Sequence, residues 1–428
     1  MLLSANQAFL TLVQQMVVTF GALAMLKLTG QVALAGLATA IVWGGRVVIV
    51  YQSGKWMDKV GRLKVLQTGL ILASIGIVLL AVSMAVSSLP GFIIGLVISG
   101  LGWGATQQNR VAVADMYPSK RRGEGIGYLL TASIIGAIAA TPFVALATLT
   151  GDLLVIDHYA AAWLLSIIFL PLASLALKLV KPDPQEISRN ITAYYPDEKQ
   201  DSPDIQGNGS NTVVRSTREY LLFYPVLAAF AVSALVQGNM TMMMALTSLV
   251  MNEHSVQLTL ISLAISIHII GMYGLSVPLG KISDRIGRRK LLLIGAVTSA
   301  IGAFLTPATA DYTIMTLGIF LVGVGWSAGT VATTALVSDL TTYSERGRII
   351  GANDFFLSLA SITFPVIGGI VASAQGFGGL GLLGLLIPVP AVILAVLLKE
   401  TTPGVYSYTF TNNSREKPAA TQPSNQPN

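Results

Sequence analysis

The sequence predicts an all-α membrane protein of twelve transmembrane helices, arranged as two six-helix bundles that repeat in parallel. Three observations predict this fold class: the hydropathy of the chain, the number of its long apolar segments and the similarity of its two halves. Of the 428 residues, 53% are hydrophobic and only 11% are charged, and the mean hydropathy is +0.70. Soluble domains carry about 25% charged residues. The composition therefore excludes an ordinary soluble enzyme.

Long apolar segments predict the individual spans, because a helix needs roughly 20 mostly apolar residues to cross a bilayer. Twelve segments qualify, near 7–28, 32–53, 65–86, 90–112, 125–150, 157–180, 220–249, 255–279, 290–309, 311–335, 348–373 and 377–399. Apolar runs of this length differ from the alternating strands of a membrane barrel, which favours helices. The first run is too long for the apolar region of a signal peptide, so we expect it to be span 1.

Basic residues predict the orientation. The loops after spans 2, 4, 6, 8 and 10 and the C-terminal tail hold nearly all Lys and Arg. By the positive-inside rule, both termini are expected to be cytoplasmic, and the protein is expected in the plasma (inner) membrane.

Polar segments predict the domain boundaries. We expect a six-helix bundle over 1–180, a cytoplasmic linker over 181–219, a second bundle over 220–400 and a flexible cytoplasmic tail over 401–428. The linker and the tail hold too few apolar residues to offset the entropy lost on ordering, so both are expected to be flexible.

An internal repeat relates the two halves. Residues 54–64 (GKWMDKVGRLK) and 280–290 (GKISDRIGRRK) are identical at six of eleven positions. The similarity continues in Gly100, Gly102, Trp103 and Asp115, which match Gly323, Gly325, Trp326 and Asp339. Because each unit has an even number of spans, both enter the membrane in the same direction. This is the parallel repeat found between the halves of a large transporter class.

The loop pattern Gly-x-x-x-Asp-(Arg/Lys)-x-Gly-Arg-x-(Lys/Arg) lies between spans 2 and 3 and again between spans 8 and 9. It resembles the signature loop of the major facilitator superfamily, and the resemblance covers about residues 1–400. A simple cluster of cytoplasmic charge would explain the Lys and Arg residues but not the matched glycines and aspartates. The resemblance implies that fold and transport by alternating access, and it is nearly silent about the substrate.

The resemblance also implies a cytoplasmic gate, because in that family the acid and base of the loop bond across the two halves and hold the inner gate closed. The corresponding residues here are Gly54, Asp58, Gly61, Arg62, Gly280, Asp284, Gly287 and Arg288. These charges are expected where membrane meets water. Their ion pairs are therefore partly desolvated and matter more than exposed pairs.

Ionisable residues inside the spans are functional candidates, since each costs roughly 2.5–3.5 kcal/mol to insert. Arg46 lies in span 2 and Asp354 in span 11, and these spans are neighbours across the halves in the resembled fold. We therefore predict an intramembrane Arg46–Asp354 pair, the alternative being two unrelated residues that each reach the headgroups. His268, near the middle of span 8, is the candidate proton relay because imidazole titrates near neutrality. The alternative is a neutral histidine bonded to a neighbouring helix.

Polar residues on spans 1 and 7 are candidates for lining a cavity, because these spans line the centre of the resembled fold. The candidates are Gln15, Thr19, Gln237, Asn239 and Met240. The amides would bond to the substrate, and a flexible methionine would adapt to its apolar parts. The alternative is hydrogen bonding between helices, worth only about 0.6 kcal/mol on average.

The leading functional prediction is a secondary active transporter of a small organic solute, with proton-coupled efflux (antiport) of amphipathic compounds placed first. Uptake of a neutral or anionic metabolite is the alternative, since the middle of each predicted span lacks the carboxylate used by many exporters of cationic drugs. A non-transporting sensor of the same fold comes third. The expected partners are a small-molecule substrate, the lipid bilayer and protons, with the chain acting as a monomer and binding no nucleic acid.

An enzyme is not expected. It would need clustered histidines and carboxylates, and the three histidines lie on three separate segments. The sequence therefore predicts no catalytic residue, metal site or cofactor.

Overall fold

A computed structural model of the chain describes residues 1–118, 121–196, 216–341, 343–402 and 405–406. Within these residues, 10 helices are long and apolar enough to cross a membrane. The helices of the first half are Leu2–Thr29, Ala35–Val60, Arg62–Ala85, Leu89–Thr106, Asn109–Asp115, Arg122–Leu154, His158–Ser166 and Phe169–Lys178. Those of the second half are Tyr224–Glu253, Leu258–Tyr273, Ser276–Ile286, Arg288–Leu305, Tyr312–Leu340, Tyr343–Leu386 and Val389–Leu397.

The last of the ten helices contains two spans. It covers the 50 residues Arg348–Leu397, which take in most of helix Tyr343–Leu386 and all of helix Val389–Leu397. A straight helix of that length would extend about 75 Å at 1.5 Å per residue, more than twice the roughly 30 Å bilayer core. Gly376 breaks it with the non-helical angles φ 69° and ψ −174°. Helix Arg288–Leu305 adds a further span that begins with three basic residues. The described helices are therefore consistent with the twelve predicted spans, and we keep the numbers span 1 to span 12.

One end of the bundle carries both repeat loops, residues 54–64 and 280–290, and we call it the basic end; the other is the opposite end. Each loop turns through a single glycine, Gly61 with φ 97° and Gly287 with φ 96°. Glycine adopts this left-handed region without steric cost. The chain therefore passes directly from span 2 to span 3 and from span 8 to span 9.

An acidic residue beyond the last span of each half caps these turns. The Asp183 carboxylate accepts hydrogen bonds from the backbone N–H groups of Arg62 (3.2 Å) and Leu63 (3.0 Å). In the second half, Glu400 accepts from the backbone of Arg288 (2.9 Å) and Arg289 (2.7 Å). These bonds satisfy N–H groups that a helix start leaves unpaired. The two halves thus close their turns in the same way.

Glycines set the close packing of span 2 against span 4. A Cβ added at Gly45 would lie 2.7 Å from the Val97 carbonyl oxygen, and one at Gly104 would lie 2.8 Å from the Arg46 carbonyl oxygen. Small residues let membrane helices approach to backbone contact. This contact fixes the rotation of span 2 and hence the direction in which Trp43 and Arg46 project.

The predicted linker and tail contain more regular structure than expected. Short helices form at Pro184–Arg189, Ile191–Tyr194 and Thr217–Leu222, and the chain folds back at β1 (Glu400–Thr402) and β2 (Val405–Tyr406), which pair antiparallel. Pro184 and Ile187 are buried, because the Asp183 cap brings this segment against span 3. The rest of both segments, 197–215, 403–404 and 407–428, lies outside the described residues. The domain division at 180 and 220 stays a prediction.

Candidate substrate-binding cavity

A cavity of about 240 Å³ lies between the two halves. Spans 1, 2, 4 and 5 line it from the first half and spans 7, 8, 10 and 11 from the second. Its polar and charged lining residues include Gln7, Thr11, Gln14, Gln15, Thr39, Arg46, Gln107, Arg110, Gln237, Thr241 and Asp354. The remaining wall is largely apolar and aromatic. A chamber with these walls suits an organic solute that carries a few polar groups.

The cavity is closed toward the opposite end by contacts between spans 2 and 11. A Cβ at Gly36 would collide with the carbonyl group of Pro365, and one at Gly369 would lie 2.7 Å from the Ala33 carbonyl oxygen. The two helices are therefore in backbone contact where span 2 begins.

Spans 1, 5 and 8 complete this closure with hydrogen bonds across the halves. Gln15 Nε2 donates to the Ser262 carbonyl oxygen (3.0 Å) and to Ser266 Oγ (2.9 Å). The Ser266 hydroxyl also lies 2.7 Å from the Ala137 carbonyl oxygen and 3.2 Å from Thr141 Oγ1. All of these atoms belong to buried or partly buried groups, so the cluster joins the halves in a water-poor region.

At the basic end the halves stand apart. A Cβ added at Gly54, Gly127, Gly280 or Gly351 would meet no atom within 4 Å. These glycines lie near the basic ends of spans 2, 5, 8 and 11, the spans whose other parts pack across the halves. The cavity is therefore open at the basic end in this conformation.

The predicted gate residues pair inside their own halves. Arg62 bonds to Asp58 (2.7 Å) and to Asp115 (2.7 Å). In the second half, Arg288 bonds to Asp284 (2.8 Å) and to Asp339 (3.0 Å). The implied latch across the halves is absent from described residues 54–64 and 280–290, because the basic end is open. Its formation in a closed state stays a prediction.

Arg46 and Asp354 both line the cavity, as their predicted proximity requires. Among the described residues, however, no Arg46–Asp354 contact falls within the 4.0 Å of a salt bridge. Arg46 instead lies over two indole rings, with its Cζ 4.2 Å from the Trp43 centroid and 5.0 Å from the Trp103 centroid. The pair is therefore not formed in this conformation, and its formation elsewhere in the cycle stays a prediction.

His268 is buried within the second half and is not among the residues that line the cavity. Its Nδ1 lies 2.7 Å from the Ile319 carbonyl oxygen. A carbonyl only accepts, so Nδ1 carries the hydrogen. This environment matches the alternative of a histidine bonded to a neighbouring helix, while the role of proton relay is untested.

Three of the five predicted lining residues, Gln15, Gln237 and Met240, face the cavity. Thr19 and Asn239 are buried away from it, and Asn239 Nδ2 donates to Ser299 Oγ at 3.1 Å. Gln237 is held on both sides of its amide. Its Nε2 donates to Ser361 Oγ (2.9 Å), and its Oε1 accepts from Trp326 Nε1 (2.5 Å). The glutamines therefore bond between helices, as the alternative interpretation expects, and their bonding to a substrate stays a prediction.

The aromatic residues of the cavity do not stand out in the sequence as polar residues in an apolar span do. Trp43 and Trp103 form an edge-to-face pair at 5.0 Å, and Tyr273 and Trp326 form another at 5.9 Å. The matched positions of Trp103 and Trp326 in the repeat were a usable signal, because a tryptophan retained in both halves fits a shared central position. The part of the chain that the structure describes holds no group of three or more His, Cys, Asp or Glu side chains able to bind a metal ion.

Comparison with known proteins agrees with this architecture. The family model described as Major Facilitator Superfamily matches residues 3–246 and 226–421. A relative from Bacillus subtilis (strain 168), the uncharacterized MFS-type transporter YddS, is 27% identical over 380 residues, covering 87% of this chain and 85% of the relative. The riboflavin transporter RfnT of Brucella anthropi is 23% identical over 389 residues, covering 90% of this chain and 92% of RfnT.

Among solved structures, a bacterial homolog of the human lysosomal transporter Spinster, in an inward-facing and unoccupied conformation, superposes with a TM-score of 0.71. The identity is 15%, and the match covers 92% of this chain and 94% of the homolog. This similarity concerns the fold. Together with the match of the family model along nearly the whole sequence, the repeated loops and the cavity between two six-helix halves identify this integral multi-pass membrane protein as a member of the Major Facilitator Superfamily.

Proposed function

We propose that the protein is a secondary active transporter that moves a small, neutral or anionic organic solute by alternating access. The observation that carries the proposal is the central cavity, which is closed at one end by contacts across the halves and open at the other. Rocking the halves about this cavity would close the open end and open the closed one. A solute bound at the centre would then face each side of the membrane in turn.

The positive-inside rule supports the orientation of this cycle. The basic end carries the Lys and Arg residues of both repeat loops, so we place it and both termini in the cytoplasm, with the chain in the plasma membrane. The conformation described above would then receive a solute from the cytoplasm or release one into it.

The charges on the cavity wall support the solute class. Arg46 and Arg110 line the cavity together with Asp354, the one carboxylate among the described lining residues. Two fixed positive charges and one negative charge favour a neutral or anionic solute over a cation, since the low dielectric of such a site strengthens each charge. The relative named as a riboflavin transporter also fits the proposal of an organic solute that is not a cation.

Proton-coupled export of amphipathic compounds is the second candidate. Met240, Met244 and Met272 line the cavity, and flexible thioether side chains suit a range of apolar shapes. In that mechanism Asp354 is better placed than His268 to exchange a proton, because it faces the cavity while His268 is buried in the second half.

Flux in proteoliposomes tests the proposal. Purified protein is reconstituted and assayed against a panel of anionic, neutral and cationic organic solutes, with and without an imposed pH gradient. We expect flux of neutral or anionic compounds, driven by a solute or proton gradient. Gradient-driven flux of cations alone would support the export candidate instead. Ligand binding without flux under any gradient would contradict transport and favour a sensor.

The variant Asp354→Asn tests whether Asp354 couples transport to protons, separately from the ability of the protein to bind and move the solute. If Asp354 exchanges protons, the variant is expected to lose the stimulation of flux by a pH gradient while keeping exchange of unlabelled for labelled solute. The matched control is Asp152→Asn, because Asp152 is an exposed carboxylate outside the cavity. This control should retain the wild-type response to the gradient.

A further inference from the structure

Arg46 lies on a platform of two tryptophans at the cavity wall. Trp43 is three residues before Arg46 on span 2, so both project from one face of the helix, and Trp103 reaches the same place from span 4. The guanidinium carbon lies 4.2 Å and 5.0 Å from the two ring centroids, within the roughly 6 Å range of cation–π attraction. The rings therefore hold the charge in place, and the Gly104 contact with the Arg46 backbone fixes the helix beneath it.

The guanidinium on this platform has no hydrogen-bond acceptor within the described part of the chain. Its Nε is buried without a partner, and it forms no salt bridge there. An arginine has five N–H donors, and a donor left unsatisfied away from water costs free energy. The neighbouring indoles satisfy none of them, because ring faces stabilise the positive charge without accepting conventional hydrogen bonds. The site thus supplies a fixed positive charge and free donors but lacks an acceptor.

The facing wall is also aromatic and also fixed. Trp326 from span 10 is held by its hydrogen bond to Gln237 and packs edge to face against Tyr273 of span 8. An apolar cavity of about 150 Å³ holds one benzene ring, so the roughly 240 Å³ here has room for a somewhat larger ring system. A flat aromatic body would lie between the two aromatic walls with little loss of conformational freedom.

We propose that Arg46, with Trp43 and Trp103, forms a subsite for the carboxylate of a planar aromatic anion, which the transporter carries as its substrate class. A carboxylate matches the fork of donors that arginine presents and forms two parallel hydrogen bonds with it. Trp326 and Tyr273 contact the aromatic body of the ligand. This inference rests on the proposed function, since it takes the cavity to be the place where the transported solute binds.

Binding of matched probes to the purified protein tests the subsite. The probes are 2-naphthoate, its uncharged analogue 2-naphthamide and the non-aromatic anion cyclohexanecarboxylate, and displacement of tritiated 2-naphthoate reports their affinities. Wild-type protein is expected to bind 2-naphthoate at least tenfold more tightly than either analogue. Undetectable 2-naphthoate binding, or equal affinity for 2-naphthoate and 2-naphthamide, would overturn the inference without any variant being made.

Variants then assign the preference to Arg46. Arg46→Gln should bind 2-naphthoate and 2-naphthamide equally, while Arg46→Lys should keep part of the preference because it retains charge without the planar fork. The control Lys178→Gln removes an exposed positive charge at the end of span 6 and should bind as wild type does. A tenfold preference that survives in Arg46→Gln would reject the assignment.

Flux measured in parallel distinguishes this inference from the proposed function. Selective binding of 2-naphthoate without flux of any solute in liposomes would support the subsite and contradict transport. Flux of other solutes without selective binding of 2-naphthoate would support transport and contradict the subsite.

Discussion

Ser266 is the residue at which spans 1, 5 and 8 meet across the two halves. Its hydroxyl is within hydrogen-bond distance of the Gln15 amide, the Thr141 hydroxyl and the Ala137 carbonyl oxygen, and the residue is fully buried. The cluster closes the cavity toward the opposite end. These bonds must break when that end opens, so they stabilise the conformation described here relative to the alternative one.

Removing this hydroxyl is predicted to shift the conformational equilibrium. In Ser266→Ala, two bonds across the halves are lost, the one that the hydroxyl accepts from Gln15 and the one that it donates. At about 0.6 kcal/mol each, their loss should raise the population open at the opposite end roughly eightfold. The reporter is maleimide labelling of Ala33→Cys, which lies at the contact between spans 2 and 11. The chain has no natural cysteine, so the label is specific. Ser327→Ala removes a buried hydroxyl that bonds to Ser276 within the second half and should leave the labelling rate unchanged.

The side chains of the site are only partly predictable from the sequence. Gln15 and Gln237 stand out because a polar amide in an apolar span is costly and therefore conspicuous. Trp43 and Trp103 do not, because an aromatic residue in a span faces lipid, protein or cavity according to the rotation of its helix. That rotation is set by backbone contacts such as the one at Gly104. Likewise, the caps Asp183 and Glu400 lie more than a hundred residues from the turns they close.

At the scale of elements, the contact between spans 2 and 11 at the opposite end sets which residues of the two helices face each other further along. Gly36 packs against Pro365, and the two helices run antiparallel. Ten residues further along span 2 is Arg46, and eleven residues back along span 11 is Asp354. Closing the basic end would therefore bring these two residues opposite each other, which gives a structural reason for the pair expected from the sequence.

The register predicts that Arg46 and Asp354 are energetically coupled in the closed state. Asp354→Asn and Arg46→Gln should each increase maleimide labelling of Gly351→Cys at the open basic end. The increase in labelling rate of the double variant should be smaller than the product of the two single increases. The expected shortfall is at least about fivefold, which corresponds to a coupling of about 1 kcal/mol. Arg46→Gln combined with Asp152→Asn serves as the unpaired control and should be additive. Additivity in the Arg46 and Asp354 cycle would rule out the pair.

Hydropathy predicts the spans well because helices in lipid must satisfy their own backbone groups. Hydropathy predicts the interruptions of these helices less well. The interruption at Gly376 lies between two predicted spans and follows from length alone. The interruption of span 8 after Tyr273 leaves little trace in hydropathy, because the residues on both sides are largely apolar. The interruption of span 4 after Thr106 coincides instead with the polar run Gln107, Gln108, Asn109 and Arg110. The short helices beyond span 6 are held by contacts with distant parts of the chain, such as Asp183 with the Arg62 backbone and the Tyr195 hydroxyl with the Met116 carbonyl oxygen, which composition does not encode.

At the scale of the whole molecule, the two repeats make the same contacts in each half and leave the same positions uncovered. Each repeat arginine bonds to two carboxylates of its own half, and each turn is capped by an acid beyond the sixth span. Four of the uncovered glycines, Gly54, Gly127, Gly280 and Gly351, lie near the basic ends of spans that pack across the halves elsewhere along their length. A helical glycine costs about 1 kcal/mol relative to alanine. These four glycines carry that cost without making a close contact in this conformation. We infer that the helix surfaces around them pack against each other in another conformation.

Spans 5 and 8 indicate which residues meet when the basic end closes. Thr141 Oγ1 and Ser266 Oγ are 3.2 Å apart, and fourteen residues from each toward the basic end are Gly127 and Gly280. A disulfide requires Cα atoms within about 7 Å. The double variant Gly127→Cys/Gly280→Cys is therefore expected to cross-link only when the basic end closes, and oxidation should abolish flux in proteoliposomes while reduction restores it. Gly127→Cys/Ile282→Cys displaces one cysteine by two residues, to another face of span 8, and should remain uncross-linked and active. Normal flux with a fully formed Gly127–Gly280 cross-link would show that the basic end does not move during transport, which alternating access about this cavity forbids.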